Sequence, residues 1–454
     1  MFSRNKSQGN NSDQPAPEEK PAEDVKSEQE TPDAADQEKK VPDNSLTAAF
    51  AQWVAESRAS KSDFIVAMIQ RIFQEGVQRA ASDIHFQPGR LGVEVRFRLD
   101  GVLHLAGMLP QSNVYQIAAR IKVLANLVTF RQGVPQEGRI PSGLIPEVTR
   151  EIRISTVPCL YGERIVARFF SAGNLYQQPE ELGFTDQILD SLKRAVTRTS
   201  GAVLVTGPAG SGKSTTVAAL LRHLVREDIY DVGTVRSIVT LEDPIESAID
   251  GVSQIEITQD GDTTLDRLLL YLLRQDPDVI VVGEIRDRPT AEAAMQAALT
   301  GHLLLSTFHS TDAASAISRF LELGIEPFTL RSSLEYVLCQ RLVRRLCPHC
   351  RREMTSSTPA KIHVLRRAKE VTKWYEPVGC EKCNGTGYSG RSMVAESLPL
   401  KSEEMANAIL ERRETSVLQR IGEENGMVPF HDLAVNLIED GVTSPVEILR
   451  VFGV

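Results

Sequence analysis

The sequence predicts an α/β fold: a mixed α/β N-terminal domain followed by a parallel sheet covered by helices. Two patterns carry this reading. Short, mostly apolar runs (Ala202–Val205, Ser237–Leu241, Asp278–Val282, Leu303–Ser306) alternate with helical segments between about 185 and 345. Runs of that kind belong to parallel strands buried on both faces. Upstream, apolar residues at three- and four-residue spacing give way to strict alternation, the switch from helix to half-buried strand.

The chain has 454 residues, room for about three domains. Charged residues make up 24% and apolar residues 41%, an ordinary soluble composition. Fifty-one basic against sixty acidic side chains give a formal net charge of −9. That balance argues against attachment to nucleic acid mainly through positive charge, while leaving room for a local basic channel inside an assembly. No stretch approaches the ~18 continuous apolar residues of a membrane span. The start, Met1-Phe2-Ser3-Arg4-Asn5-Lys6, lacks the apolar core of a secretory signal. The expectation is a cytoplasmic chain that meets a membrane only through partners.

Residues 1–45 hold six basic and eleven acidic side chains and five prolines. Such a segment cannot bury enough surface to offset its conformational entropy and reads as a disordered acidic tail. Residues 46–56 read as an amphipathic turn or two, with Leu46, Phe50, Trp53 and Val54 on one side, packed on a core or serving as a docking peptide. From Ser62 to Ala80, Phe64, Ile65, Met68, Ile69, Ile72, Phe73 and Val77 mark a helix. Val93, Val95, Phe97 and Leu99 then alternate with Glu94, Arg96 and Arg98, and Asp100-Gly101 reads as a hairpin turn. Strand-like runs at 151–156 and 164–170 complete an N-terminal domain over 46–175, and 171–182 reads as a linker. The parallel-sheet domain takes 176–345, a Cys- and Gly-punctuated module 346–395, and a helical region 396–454.

The strongest local signal is Gly207-Pro208-Ala209-Gly210-Ser211-Gly212-Lys213-Ser214, a full G-x-x-x-x-G-K-S/T between a strand and the helical run Thr215–Leu224. Glycines let backbone N–H groups turn inward around phosphates, Lys213 reaches the β- and γ-oxygens, and Ser214 ligates Mg²⁺. The helix N-terminus adds its own attraction for anions. Val279–Val282 ends in Gly283-Glu284, and a carboxylate at the tip of such a strand can hold Mg²⁺. Glu242-Asp243-Pro244-Ile245-Glu246 also follows a strand; carboxylates beside a triphosphate hold metal or activate water. The chain has no N-K-x-D guanine-reading motif, which disfavours a GTPase. His302 and His309 flank one apolar run, as strand-end structural residues or as a sensor of the γ-phosphate.

Cys347-x₂-Cys350 and Cys380-x₂-Cys383 each present two thiolates from one turn, and together they suit a closed Cys₄ zinc site of structural kind. An iron centre or a redox dithiol pair would use the same spacing. Cys159 and Cys339 are expected as small core residues.

Taken as a set, Ala-Ser-Asp-Ile-His (81–85), Arg-Phe-Arg-Leu-Asp-Gly (96–101), Gly-Glu-Arg-Ile-Val (162–166), the phosphate loop, Glu-Asp-Pro-Ile-Glu (242–246), Arg-Gln-Asp-Pro-Asp (274–278), Gly-Glu-Ile-Arg-Asp (283–287) and Thr-Gly-His (300–302) resemble the type II secretion and type IV pilus assembly ATPases. The resemblance runs from about residue 60 to the C-terminus. It implies a PAS-like N-terminal domain, a RecA-like ATPase domain, a homohexameric ring using ATP, Mg²⁺ and Zn²⁺, and an inner-membrane platform protein as partner. Gly207–Thr215 would form the Walker A loop, including Pro208, Ala209, Gly210, Ser211 and Gly212. Glu242 and Glu246 would lie in the Asp box with Glu242 favoured to polarise water, Glu284 would be the Walker B carboxylate, and His302 and His309 the His box. Arg96, Arg98, Arg153 and Arg168 are candidates to reach a nucleotide across a subunit or domain junction, or form a solvated strand face. The family's larger members carry a further N-terminal docking domain, where this chain has the acidic tail. Pro135-Gln136-Glu137-Gly138-Arg139 stands where the family has Pro-Gln-Asp-Gly-Arg. The alternative function is a RecA-like nucleic-acid translocase, disfavoured by the acidic balance.

Overall fold

The structure is a computed structural model that describes residues 46–59, 63–170, 176–227, 235–257, 264–354 and 373–453. The tail expected over 1–45 lies outside the described residues, as does 171–175 of the expected linker.

The segment opening at Leu46 is a full helix, α1 (Leu46–Ala59), longer than its sequence pattern suggests. Leu46, Phe50 and Trp53 are buried on the N-terminal core. The next helix is α2 (Phe64–Gln78), whose N-terminus is capped by the Asp63 carboxylate, accepting from the Ile65 and Val66 amides. Met68, Ile69, Ile72 and Phe73 on α2 are fully buried. They cover a six-stranded antiparallel sheet built from β1 (Asp83–Pro88), β2 (Gly92–Leu99), β3 (Val102–Pro110), β4 (Gln136–Ile140), β5 (Ile152–Cys159) and β6 (Gly162–Phe169), in the order β3-β2-β1-β6-β5-β4. The alternation in β2 does what it predicts: Val93, Val95, Phe97 and Leu99 face the core, while Arg96 and Arg98 face away. The turn at Asp100-Gly101 takes positive φ at both residues. Helix α3 (Val114–Leu124) closes the core and carries Lys122, fully buried, whose ammonium lies 2.5 Å from Glu163 Oε1 on β6. Cys159, expected in the core, is exposed, because it ends β5 at the tight turn into β6, where no layer covers it; Cys339 is buried as expected.

The second sheet has seven strands in the order β15-β12-β7-β11-β10-β8-β9. β7 (Gly201–Thr206), β8 (Ile238–Glu242), β9 (Ser253–Glu256), β10 (Val279–Val282), β11 (Leu303–Phe308) and β12 (Leu334–Leu346) run parallel, and β15 (Tyr388–Leu398) pairs antiparallel at the edge. Every residue of β7, β10 and β11 is buried, as a two-faced strand requires. Val203 and Val205 pack under α4 (Asp186–Val196) and α5 (Lys213–Glu227). Ala202 and Leu204 face the other way, toward α6 (Leu265–Leu272), α7 (Arg288–Leu299), α8 (Ala313–Glu322) and α9 (Pro327–Ser333). β12 runs straight into Cys347, and the short pair β13 (Arg352–Glu353) and β14 (Tyr375–Glu376) precedes Cys380. The helices α10 (Glu403–Leu410), α11 (Thr415–Glu424), α12 (Phe430–Glu439) and α13 (Pro445–Phe452) finish the chain. Among the described residues no helix is long and apolar enough to cross a membrane.

Candidate nucleotide site and metal centre

In an open parallel sheet, ligands bind beyond the carboxyl ends of the strands. That is where β7 ends, at Thr206, and the phosphate loop begins. Gly207, Gly210 and Gly212 have φ of +139°, +74° and +90°. Gly207 is also required by space: a Cβ there would lie 2.3 Å from the Gln340 carbonyl oxygen of β12. Pro208 and Ala209 span the outer turn, and Lys213, Ser214 and Thr215 open α5, so its unpaired N–H groups face the loop. Lys213 is largely buried, and its Nζ donates to the Gly207 and Pro208 carbonyls at 3.0 and 3.1 Å. Burial pushes its pKa down, and the Glu284 carboxylate opposes that shift.

Two strand ends bring further groups to the loop. β10 delivers Glu284 and β11 delivers His309. His309 Nε2 is 2.9 Å from Glu284 Oε1, and its Nδ1 is 3.2 Å from the Gly207 carbonyl and 3.4 Å from Lys213 Nζ. Glu284 Oε2 accepts from Arg286 Nε and Nη2 at 2.9 and 2.8 Å, which raises the arginine's pKa, and Arg286 Nη1 lies 3.9 Å from Asp243. The result is a continuous polar line, Lys213–His309–Glu284–Arg286–Asp243. Thr307 Oγ1 donates to Gly283 O and Ser306 Oγ to Val282 O, both at 2.7 Å, pinning the end of β10 against β11. Arg319 Nη1 holds the His309 carbonyl at 2.5 Å.

The Asp-box carboxylates are placed differently from each other. Glu242 Oε1 accepts from Thr240 Oγ1 at 2.7 Å and Gln254 Nε2 at 2.9 Å, so it lies along its own strand and β9. Glu246 is exposed. His302 is not brought to the loop. It precedes β11, with Nδ1 3.0 Å from Ala297 O, about 20 Å from His309 by the rise of the strand between them.

The four candidate arginines share the outer face of the N-terminal sheet. Register aligns Arg98, Asp83, Arg168, Arg153 and Arg139 in one row across β2, β1, β6, β5 and β4. Asp83 accepts from Arg168 Nε at 2.8 Å and pairs with Arg98 Nε at 3.2 Å. Arg153 lies over the Phe170 ring, and Arg96, one row along, pairs with Glu94. Arg139 in turn faces Glu151 and Glu256 at 3.6 and 3.8 Å, so the arginines of this face are largely matched by carboxylates, and Arg153 is the one stacked on a ring instead.

The four cysteines form one cluster, with all four sulfurs within 4.8 Å of one another. Cys347–Cys380 and Cys350–Cys383 are 3.8 Å apart and Cys380–Cys383 3.7 Å. Amides of Gly379, Cys380 and Gly387 donate to Cys350 and Cys383 sulfurs at 3.3, 3.1 and 3.2 Å, as a thiolate shell requires. The knuckle also meets the N-terminal half: Arg79 Nη1 donates to Asn384 Oδ1 at 2.6 Å, and the Gly390 amide to Asp100 Oδ2 at 3.0 Å.

Motif reading misses Gln340 and Arg319, and it includes Arg286 within Gly-Glu-Ile-Arg-Asp without giving it a role. The signal for Gln340 is a lone amide inside the apolar run of β12, a position that demands partners. The two arginines act on backbone and carboxylate groups that no spacing rule anticipates.

Residues 58–450 match the family described as Type II/IV secretion system protein. The chain is 38% identical over 393 residues to the type IV pilus assembly ATPase TfpB of Acinetobacter baylyi, covering 85% of this chain and 65% of that one. It is 39% identical over 389 residues to type II secretion system protein E of Klebsiella pneumoniae, covering 85% and 76%. Against the type IV pilus assembly ATPase PilB of Thermus thermophilus the identity is 35%, over 84% of this chain and 42% of that one. The chain thus spans less than two thirds of the length of some relatives it matches. Its fold is shared with the Legionella pneumophila ATPase DotB (TM-score 0.62, 21% identity, 84% of this chain and 93% of that one). It is shared too with the pilus retraction motor PilT with bound ADP (TM-score 0.55, 23% identity, 84% and 96%). The chain belongs to the type II/IV secretion system protein family.

Proposed function

We propose that this chain is a motor ATPase that powers assembly of a type IV pilus or of a type II secretion pseudopilus. The observation that carries the reading is the meeting of Lys213, His309 and Glu284 at one phosphate loop. Lys213 and the loop amides would bind the ATP phosphates, with Ser214 and Glu284 holding Mg²⁺ through hard oxygen donors. Mg²⁺, when bound, neutralises charge on the β- and γ-oxygens. His309 bridges the loop carbonyl to Glu284, a position from which it can report the γ-phosphate to the metal carboxylate. Glu242 is the proposed water-polarising base, with Glu246 second. His302, at the far end of β11, is left without a role at this loop.

The working parts are an N-terminal domain over 46–175, an ATPase domain over 176–345, the Cys module over 346–395 and the helical region over 396–454. The row of arginines on one face of the N-terminal sheet supports a homohexameric ring in which Arg96, Arg98, Arg153 or Arg168 meets a nucleotide across a junction. The ring would stand at the cytoplasmic face of the inner membrane, against the platform protein of its machine, with no direct nucleic-acid contact. The four cysteines would hold a structural Zn²⁺.

The test is to replace the chromosomal gene with its Lys213→Ala version, then image surface pili and assay secreted proteins in the same cells. Loss of pili with intact secretion assigns pilus assembly; loss of secreted proteins with intact pili assigns type II secretion. Loss of neither overturns the proposal.

A further inference from the structure

Gln340 sits on β12, beside the phosphate loop, and its side chain is fully buried. Its Nε2 donates to the Ser211 carbonyl at 2.9 Å, and its Oε1 accepts from Thr216 Oγ1 at 3.0 Å. Ser211 O can only accept, so the amide nitrogen must face it and the orientation is fixed by the partners. The consequence lies in the peptide that follows. A trans peptide points its C=O and N–H in opposite directions. Holding Ser211 C=O out toward β12 therefore directs the Gly212 N–H to the opposite side, toward the bowl where a phosphate is cradled. Thr216, at the other end of the clamp, belongs to the first turn of α5 and bonds back to Gly212 O at 3.0 Å. The clamp so spans Gly212, Lys213, Ser214 and Thr215 from both sides. The main chain of Gln340 adds a third hold, since its carbonyl oxygen fills the space a Cβ at Gly207 would need.

We propose that Gln340 is a positioning residue for nucleotide phosphate: it sets the orientation of the Ser211–Gly212 peptide and of the first turn of α5. It touches no nucleotide itself. The inference rests on the nucleotide-binding reading of the loop and goes beyond it by assigning the loop's geometry to a side chain on another strand.

The experiment measures dissociation constants of a fluorescent ADP analogue for the full chain and its Lys213→Ala, Gln340→Leu, Gln340→Glu and Thr216→Val variants, with metal content and far-ultraviolet circular dichroism as folding controls. Gln340→Leu keeps the volume and removes both bonds; a loss of tenfold or more in affinity is expected. Gln340→Glu carries the sharper test. Ionised, its carboxylate opposes the Ser211 carbonyl; protonated, it donates as glutamine does. Affinity of Gln340→Glu should therefore recover as pH falls, while that of Gln340→Leu stays low. Because protonating a buried carboxylate also stabilises the fold, the recovery counts only where circular dichroism of Gln340→Glu is unchanged across the same pH range. Should Gln340→Leu fail to fold, Gln340→Glu and Thr216→Val decide: affinity within twofold of the unsubstituted chain at every pH overturns the proposal. If Lys213→Ala loses binding while the Gln340 variants keep it, only this inference fails. If Lys213→Ala binds as well as the unsubstituted chain, the nucleotide reading itself fails.

Discussion

Replacing Cys380 with serine tests the metal centre, and the structure supplies the numbers to expect. Three of the six sulfur–sulfur edges are 3.7 to 3.8 Å and all lie within 4.8 Å, close to the edge of a tetrahedron whose corners stand about 2.3 Å from its centre, the zinc–thiolate distance. Structural zinc binding is worth roughly 10–16 kcal/mol in small domains, the size of a whole domain's stability. Serine cannot supply a thiolate, so the substituted chain should lose its zinc. Exchange protection should fall over 347–354 and 373–390, because the turns there are closed by amides of Gly379, Cys380 and Gly387 that donate to the cysteine sulfurs. The assay is metal analysis of the full chain with X-ray absorption at the zinc edge: one equivalent per chain, four sulfurs, about 2.3 Å by the same geometry. One equivalent still bound after Cys380→Ser, a shell containing nitrogen or oxygen, or iron in place of zinc would refute the Cys₄ zinc assignment.

Two other perturbations follow from the geometry. Glu284→Gln removes the negative charge that faces both His309 and Arg286. Nucleotide should stay bound while single-turnover hydrolysis falls by about 10²–10³ as charge stabilisation is lost; a rate equal to that of the unsubstituted chain removes Glu284 from the chemistry. Glu396 on β15 is buried and accepts from the Ala313 and Phe430 amides, at the N-termini of α8 and α12, at 2.8 and 3.1 Å. Burial nonetheless pushes its carboxyl up from 4.5 to about 7. A folded-state pKa above the unfolded value favours the protonated form, so this contribution is complete below pH 4.5 and is lost as pH rises to about 7. The change amounts to about 3 kcal/mol. Urea unfolding should show that decline in the unsubstituted chain and a flatter profile in Glu396→Gln; parallel profiles would contradict it.

What the sequence conveys well is whatever depends on period or on a local backbone demand. The apolar runs of β7, β10 and β11 are legible because a strand buried on both faces tolerates little else. The phosphate loop is legible because its glycines answer backbone constraints that stay within eight residues. The cysteine pairs are legible because metal ligation fixes both residue type and spacing. Helix α1 is only partly legible: Phe50 and Trp53 mark a buried side, but its length depends on cover from β3, where the Phe50 ring fills the space beside Gly107. Cys159 fails for the complementary reason. Its residue type favours the interior, while its place beside a hairpin turn leaves nothing to cover it.

Contacts made between strands distant in sequence are the least legible, and the site depends on them. His302 and His309 look equivalent as two ends of one apolar run. Only the direction of β11 within a parallel sheet separates them, since all parallel strands deliver their C-terminal ends to the same side. His309 thereby meets Glu284 from β10 and Lys213 from the loop after β7, and His302 meets the end of α7. The same logic makes β12 more than a packing strand. One continuous segment sets Gln340 against the phosphate loop, ties the Thr311 and Val451 carbonyls together through Arg341, and ends at Leu346, next to Cys347 of the cysteine cluster. The loop and the cluster are therefore joined by a single hydrogen-bonded strand. The cysteine knuckle that follows that strand receives Arg79 from the N-terminal half, so a metal held there would tie the position of that half to the strand that passes the phosphate loop.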